Sequence, residues 1–215
     1  MMKSIKLQFL SLAILAVFPV SVFAQNSDDF GDRPSIGLKA GVNISNIYDA
    51  QGDEFQADAK LGFAAGAFLT LPLTKFIAIQ PELLFAQKGY QGSGSILGSD
   101  YSFARTTNYI DVPVLFAFRT GEYLSILFGP QYSFLLSQNY TFKSDIIDIS
   151  QDEQFENENL LKNTLCVTGG FDVDLKSIVL SARAGWDILS NKGDGTSSTP
   201  RYKNMWYQAT VGYRF

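Results

Sequence analysis

The sequence feature that most constrains the fold is a two-residue alternation of apolar and polar side chains. It is clearest in residues 203–215, where Met205, Tyr207 and Val211 fall on one face and Asn204 and Gln208 on the other. Successive side chains of a β-strand point to opposite sides, so this pattern predicts a strand with one apolar face. The alternation recurs in eight segments, which we place at residues 36–48, 59–71, 75–90, 107–119, 123–137, 164–176, 177–189 and 203–215.

The first 24 residues have the pattern of a secretory signal peptide. Lys3 and Lys6 precede an apolar run over residues 7–20, and small residues at positions 22 and 24 suit cleavage before Gln25. The alternative, a transmembrane helix, needs about 20 apolar residues, more than this run supplies. We therefore predict a signal peptide at 1–24, a flexible lead-in at 25–34 and one β-barrel domain at 35–215.

Composition excludes several functions. The chain has no histidine, which rules out Ser-His-Asp and Cys-His catalysis and histidine-ligated metals. Beyond the signal peptide it carries 15 basic and 21 acidic residues, so it lacks the basic footprint of a nucleic-acid-binding protein. Its single cysteine, Cys166, excludes an intramolecular disulfide and a cysteine-rich metal site. We predict no cofactor, no metal site and no catalytic residue.

The segments are joined by connections that alternate in length. Residues 49–58, 91–106, 138–163 and 190–202 form long polar connections, whereas residues 72–74, 120–122 and 176–177 form short ones. Outer-membrane barrels have short periplasmic turns and longer external loops. This pattern predicts an eight-stranded antiparallel up-and-down barrel in the outer membrane of a Gram-negative bacterium, with both termini in the periplasm.

Alternation alone does not decide which face of each strand is inside. In a soluble barrel the apolar face would form the core, whereas in a membrane barrel it faces lipid and the polar face lines the lumen. The signal peptide, the terminal aromatic strand and the loop pattern together favour the membrane arrangement. We then expect two aromatic girdles. The external one comprises Tyr90, Tyr101, Tyr109, Tyr140, Trp186, Tyr202, Trp206 and Tyr207, and the periplasmic one comprises Phe76, Phe118, Tyr123, Tyr213 and Phe215.

The predicted lumen carries charges of both signs. A catalytic carboxylate pair or an ion path is one interpretation, and a structural network of ion pairs is the other. We favour the network, because a buried charge without a partner is very costly, and we expect Asp172 and Asp174 to pair with Arg183 and Arg214. The predicted network comprises Lys39, Glu82, Lys88, Asp111, Arg119, Asp172, Asp174, Arg183, Asp187 and Arg214.

Two further features concern possible partners. The third long connection is acidic, which is compatible with a weak divalent-cation site or with a solvated surface loop. Its acidic residues are Asp145, Asp148, Asp152, Glu153, Glu156 and Glu158. At the chain's end, Val211, Tyr213 and Phe215 share the apolar face, and we predict that they form the signal read by the barrel-assembly machinery.

Several strands resemble the PorT-like outer-membrane β-barrel family and, in size, the small eight-stranded barrels of the OmpX and OmpA type. The similar stretches are Gly37-Leu38-Lys39-Ala40-Gly41-Val42-Asn43-Ile44-Ser45, Gln80-Pro81-Glu82-Leu83-Leu84-Phe85, Tyr109-Ile110-Asp111-Val112-Pro113-Val114-Leu115, Phe128-Gly129-Pro130-Gln131-Tyr132 and Val211-Gly212-Tyr213-Arg214-Phe215. The resemblance implies the barrel fold across the chain, and its name-giving member implies a role in a secretion machine.

We therefore predict a non-enzymatic outer-membrane barrel with a side-chain-filled lumen and a structural or surface-interaction role. The expected partners are outer-membrane lipid, lipopolysaccharide, the assembly machinery and extracellular or secretion-system proteins. A subunit of a secretion machine is the main alternative. A lipid-modifying enzyme and a narrow pore are the weaker ones.

Overall fold

The structure, a computed structural model, describes residues 33–51, 57–96, 99–144, 148–153, 163–189 and 201–215. The predicted signal peptide and nearly all of the lead-in lie outside these residues. Within them, no helix is long and apolar enough to cross a membrane. The strands are β1 (Ser35–Gln51), β2 (Asp58–Pro72), β3 (Ile77–Ile96), β4 (Ser99–Arg119), β5 (Leu124–Ser144), β6 (Asp148–Glu153), β7 (Asn163–Leu175), β8 (Ile178–Asp187) and β9 (Arg201–Arg214).

Eight of these strands close into a ring in which every pair is antiparallel. The order is β1-β2-β3-β4-β5-β7-β8-β9, and β9 returns to pair with β1. The seam runs from Gly37 opposite Arg214 to Tyr48 opposite Lys203, and the amide of Phe215 extends it by donating to the Ile36 carbonyl at 2.9 Å. The predicted eight-stranded up-and-down barrel is therefore confirmed, with the predicted first and last segments forming the seam.

In the eight ring strands the apolar face points outward, and the opposite face, which carries the charged residues, points into the lumen. Leu38 and Val211 are 55% and 59% exposed, whereas the lumen-facing Lys39 and Asp172 are 5% and 2% exposed. A wide band of exposed apolar side chains encircles the barrel and suits an apolar solvent, since a soluble protein would bury it. Of the two arrangements left open by alternation, the structure has the one with polar residues inside.

The ring has two different ends. Its short connections are tight turns at residues 73–76, 120–123 and 176–177, close to the predicted positions. Lys176 adopts a left-handed conformation with φ 58°, which lets the chain reverse between β7 and β8 in two residues. We call this the turn end of the barrel, and the opposite end the loop end.

The long connections at residues 91–106 and 138–163 contain more strand than predicted. β3 continues to Ile96, β4 begins at Ser99, and β5 continues to Ser144, where it pairs with the additional strand β6. The Gly-Ser stretch after Gln91 lies within the predicted connection at residues 91–106. It forms a strand, in which the aromatic rings of Phe103 and Tyr101 cover the bare backbone of Gly92 and Gly94 across the β3–β4 ladder.

Candidate functional site

A cluster of ion pairs lies at the centre of the lumen and connects opposite walls of the barrel. Lys39 of β1 and Arg183 of β8 both pair with Glu82 of β3, the second pair at 3.6 Å, and Arg183 also pairs with Asp172 of β7 at 2.8 Å. The amide of Gln80 donates to Glu82 at 2.9 Å and to Asp172 at 3.2 Å. All five side chains are buried. Two cations and two anions thus form a neutral bridge across the lumen.

A second ion pair lies nearer the turn end. Arg214 of β9 reaches over β8 to Asp174 of β7 at 2.7 Å, and its guanidinium carbon lies 5.9 Å from the centre of the Phe68 ring. Arg119 lies half-buried at the last position of β4, where its amide donates to the Phe76 carbonyl at 2.9 Å. Both arginines lie close to the turn end, where Arg214 is buried and Arg119 is half-buried.

A third group surrounds Lys88, toward the loop end. Its ammonium pairs with Asp111 at 2.8 Å and lies 5.0 Å from the centre of the Tyr109 ring and 5.1 Å from that of Trp206. Trp206 fits because Gly185 on the neighbouring strand has no side chain, and a Cβ there would come within 2.3 Å of the indole. Attraction to two ring faces adds to the ion pair in holding this buried cation.

The predicted girdle membership of Tyr90, Tyr109 and Trp206 is wrong, because all three are buried on the lumen side, the last 3% exposed. Trp206 shares a face of its strand with the polar residues Asn204 and Gln208. This position in the alternation is the sequence feature that indicates a lumen-facing side chain. The cation that needs these rings lies far away in sequence, so proximity along the chain gave no further clue.

Asp187 has different surroundings from the other lumen carboxylates. The thiol of Cys166 donates to one of its oxygens at 2.9 Å, while the backbone amide and side-chain amide of Asn204 donate to the other at 3.1 and 2.6 Å. The hydroxyl of Tyr48 donates to the Asp187 carbonyl at 3.0 Å. Asp187 therefore connects β8 to β7, β9 and β1 and holds the seam together at the loop end.

Apolar side chains occupy part of the lumen toward the turn end. Ala78, Leu115, Ala117 and Leu127 of β3, β4 and β5 form a cluster in which no member is more than 3% exposed. An eight-stranded barrel is just wide enough for its interior to be filled by side chains. The ion pairs and this cluster together fill the interior of the described part of the barrel at the levels where they lie.

The predicted assembly residues lie on the outer surface of the seam strand. Val211, Tyr213 and Phe215 are 59%, 53% and 67% exposed, and the rings of the last two meet edge to face at 5.3 Å. They therefore present an apolar edge to lipid or to another protein.

We expect deletion of Phe215 to lower the amount of the protein in the outer membrane several-fold. The deletion removes both the terminal ring and the amide that donates to Ile36. Phe215→Ala keeps that amide, and Phe215→Tyr keeps an aromatic ring, so the two variants separate the effects. Immunoblots of purified membranes should show loss for the alanine variant and a normal level for the tyrosine variant. Wild-type levels of the deletion, Phe215→Ala and Phe215→Tyr variants would contradict the assembly role.

Beyond the ring, β3, β4 and β5 continue at the loop end, and β6 pairs with the end of β5. This projecting sheet consists of residues 91–96 of β3, 99–106 of β4, 138–144 of β5 and all of β6. Part of the predicted acidic connection forms β6. The side chains of β6 lie outside the part of the chain that the structure describes, so the cation site stays a prediction.

The two faces of the projecting sheet differ. The face that continues the lumen side is aromatic, with Tyr90 and Phe103 edge to face at 6.4 Å and Tyr101 stacked on Phe142 at 6.1 Å. The face that continues the outer barrel surface carries hydroxyl and amide groups such as those of Gln91. A row of polar contacts separates it from the apolar band. In this row Gln87 donates to Asn108 at 3.2 Å, and Asn108 donates to Ser137 at 2.9 Å.

Comparison with known proteins agrees with this architecture. A family model described as "Outer membrane protein beta-barrel domain" matches residues 23–188. Among solved structures, the attachment invasion locus protein Ail of Yersinia pestis aligns with a TM-score of 0.50 and 19% identity over 85% of this chain and 99% of Ail. Neisserial surface protein A aligns with a TM-score of 0.45 and 11% identity over 85% and 97% of the two chains. No curated protein matches the sequence.

Proposed function

The chain belongs to the outer membrane protein beta-barrel domain family, and from that premise we propose that it is a non-enzymatic contact protein of the bacterial surface. The observation that carries the proposal is the projecting sheet on a barrel whose lumen is filled. Family membership places the barrel in the outer membrane of a Gram-negative bacterium. We further propose that the turn end and both termini face the periplasm, because short turns lie on that side in such barrels.

In this orientation the projecting sheet stands outside the cell. The row formed by Gln87, Asn108 and Ser137 marks the outer boundary of the apolar band. β3 continues for nine residues beyond Gln87. At about 3.3 Å per residue and a tilt near 40°, the sheet rises roughly 20 Å above that boundary. Such a height brings its aromatic face within reach of macromolecules outside the membrane.

The filled lumen supports a contact role over a transport role. The central cluster crosses the lumen from Glu82 to Arg183, and the apolar cluster around Leu127 lies nearer the turn end. The same ion pairs weaken the case for a lipid-modifying enzyme, because the lumen carboxylates Asp172 and Asp174 are held by arginines. An unchanged lipid A profile in a deletion strain is the expected result for a non-enzymatic protein.

Site-specific photo-cross-linking in living cells tests the proposal. A photoreactive phenylalanine analogue at Phe142 replaces an aromatic side chain on the aromatic face of the sheet, and one at Tyr123 replaces an exposed aromatic in the β4–β5 turn. We expect discrete adducts from Phe142 and a different set, or none, from Tyr123. Identical adduct patterns at the two positions would contradict a contact surface on the projecting sheet.

The identity of the adducts also tests the secretion-machine alternative implied by the resemblance to PorT-like barrels. A subunit of such a machine should cross-link to other envelope proteins and co-purify with them in mild detergent. A contact protein of the surface should instead give adducts that depend on added external material.

A further inference from the structure

A groove with both polar and apolar lining runs along the outward face of the projecting sheet. It consists of two adjoining hollows of about 350 and 550 Å³ that share Ser93, Ser102 and Lys143. The first hollow is also lined by Asp58, Gln91, Gly92, Phe103, Ala104 and Thr141, and the second by Gly94, Asp100, Tyr101 and Ser144. The groove therefore lies across β3, β4 and β5, on the side that continues the lipid-facing surface of the barrel.

This face carries mostly small side chains with hydroxyl or amide groups. Of the eleven outward positions of the three strands above the polar row, Asp100 and Lys143 are charged. The other nine are neutral and none is larger than glutamine: Gly89, Gln91, Ser93, Ser95, Ser102, Ala104, Thr106, Asn139 and Thr141. Hydroxyl and amide groups both donate and accept hydrogen bonds, which is what a dense layer of sugar hydroxyls requires.

The position of the groove indicates which sugars it meets. Its lining begins four residues beyond the polar row, at Gln91, and ends eight residues beyond it, at Asp100. This range corresponds to about 10 to 20 Å above the membrane boundary. At that height the outward face of a barrel strand is surrounded by the headgroup sugars of the outer leaflet, whereas the aromatic face points over the barrel axis.

Lys143 supplies the cation among the described residues that line the groove. It is exposed where the two hollows meet, opposite Ser102 of β4. An ammonium in this place matches an anionic group such as a sugar phosphate. Asp58 and Asp100 lie at the margins of the groove. Their carboxylate oxygens can accept hydrogen bonds from sugar hydroxyls, and their negative charge disfavours a polyanion that would occupy the whole groove.

We propose that this groove binds the phosphorylated core sugars of lipopolysaccharide in the protein's own membrane, with Lys143 on a phosphate and Ser93, Ser102 and Thr141 on sugar hydroxyls. The inference rests on the proposed external placement of the sheet. In this proposal the outward face of the projecting sheet contacts lipopolysaccharide of the outer leaflet, and the aromatic face is available to other partners.

Binding of purified full-length protein to defined lipopolysaccharides tests the proposal. The probes are rough lipopolysaccharide with a complete phosphorylated core, the same material after removal of core phosphates, and lipid A alone. We expect the complete core to bind most tightly. Lys143→Glu should weaken binding of the phosphorylated core about tenfold, the value of one charge-assisted hydrogen bond, and leave lipid A binding unchanged.

Two further variants complete the design. Ser93→Val/Ser102→Val removes the hydroxyls of a directly opposed pair, keeps residues that suit a strand, and should weaken binding of both cores alike. Lys75→Glu makes the same charge change in an exposed turn at the other end and should change nothing. Unaltered heat-modifiable migration on gels will show that each variant is folded.

Equal affinity of the wild-type protein for lipid A and the complete core would overturn the proposal, as would indistinguishable behaviour of Lys143→Glu and Lys75→Glu. Tighter binding of a soluble sulfated glycan than of the core would overturn the choice of occupant. The cross-linking experiment at Phe142 reports on the opposite face, so either result can fail without the other.

Discussion

Replacement of Glu82 by glutamine is expected to destabilise the folded barrel by about 3–5 kcal/mol, the usual cost of breaking a buried ion pair from one side. Glutamine keeps the size of the side chain, so the loss reports charge and not a cavity. Lys39 and Arg183 both pair with Glu82, and both are only 5% exposed. Without the carboxylate the centre of the lumen holds two cations and a single anion, Asp172.

The measurement is reversible urea unfolding of the refolded protein in detergent, followed by heat-modifiable migration. Glu122→Gln is the matched control, because Glu122 lies exposed in the β4–β5 turn and its loss should change stability by less than about 0.5 kcal/mol. The double variant Lys39→Met/Glu82→Gln should recover part of the loss. It removes the cation that the single variant leaves unpaired, and Arg183 keeps its partner Asp172.

Equal stabilities of Glu82→Gln and Glu122→Gln would contradict the structural role of the central cluster. A double variant less stable than the single one would also count against it, because Lys39 would then contribute through packing and not through its charge.

The fold was predictable because the two-residue alternation indicates both where each strand lies and which of its side chains share a face. The short turns are also predictable from local sequence, since only Lys176 and Ser177 separate the apolar residues of β7 from those of β8. Even the pairing of Asp172 with Arg183 follows from neighbouring strands, because the two residues face the same side on β7 and β8.

Contacts across the lumen were not predictable in the same way. Gln80 meets Asp172 from three strands away around the ring, and Trp206 reaches Lys88 from the far side of the seam. The stagger of all eight strands sets these distances, and no single segment encodes it. The projecting sheet was missed for another reason. The residues that cover Gly92 and Gly94 lie on the opposite strand, so the Gly-Ser stretch alone has the composition of a loop.

A methyl group added at Gly170 is expected to prevent normal closure of the barrel, although Gly170→Ala is the smallest substitution available. A Cβ at this position would lie 1.9 Å from the carbonyl oxygen of Ala182 and 2.9 Å from the Cα of Arg183. Both atoms belong to the backbone of β8, so no side-chain rotation relieves the overlap. Overpacking usually costs about 1–3 kcal/mol and more where the backbone must move.

The displacement would reach the central cluster directly. Gly170 lies opposite Arg183 in the β7–β8 ladder, and Arg183 donates a hydrogen bond to the Phe171 carbonyl at 2.9 Å while its guanidinium holds Asp172 and Glu82. A shift of β8 away from β7 therefore strains these contacts at the same time. We expect the variant to fold in low yield and to lose heat-modifiable migration at a lower temperature than the wild-type protein.

Gly169→Ala is a matched control on the adjacent position of the same strand. Its added Cβ would lie 3.4 Å from the Leu127 carbonyl oxygen and 3.6 Å from the Cβ of Phe128, both ordinary contacts. Gly169 belongs to the outward face, so this methyl group meets lipid and leaves the lumen unchanged. We expect Gly169→Ala to refold as well as the wild-type protein. If both variants refold alike, then β7 and β8 can separate without loss, and Arg183 is not held as closely as its contacts indicate.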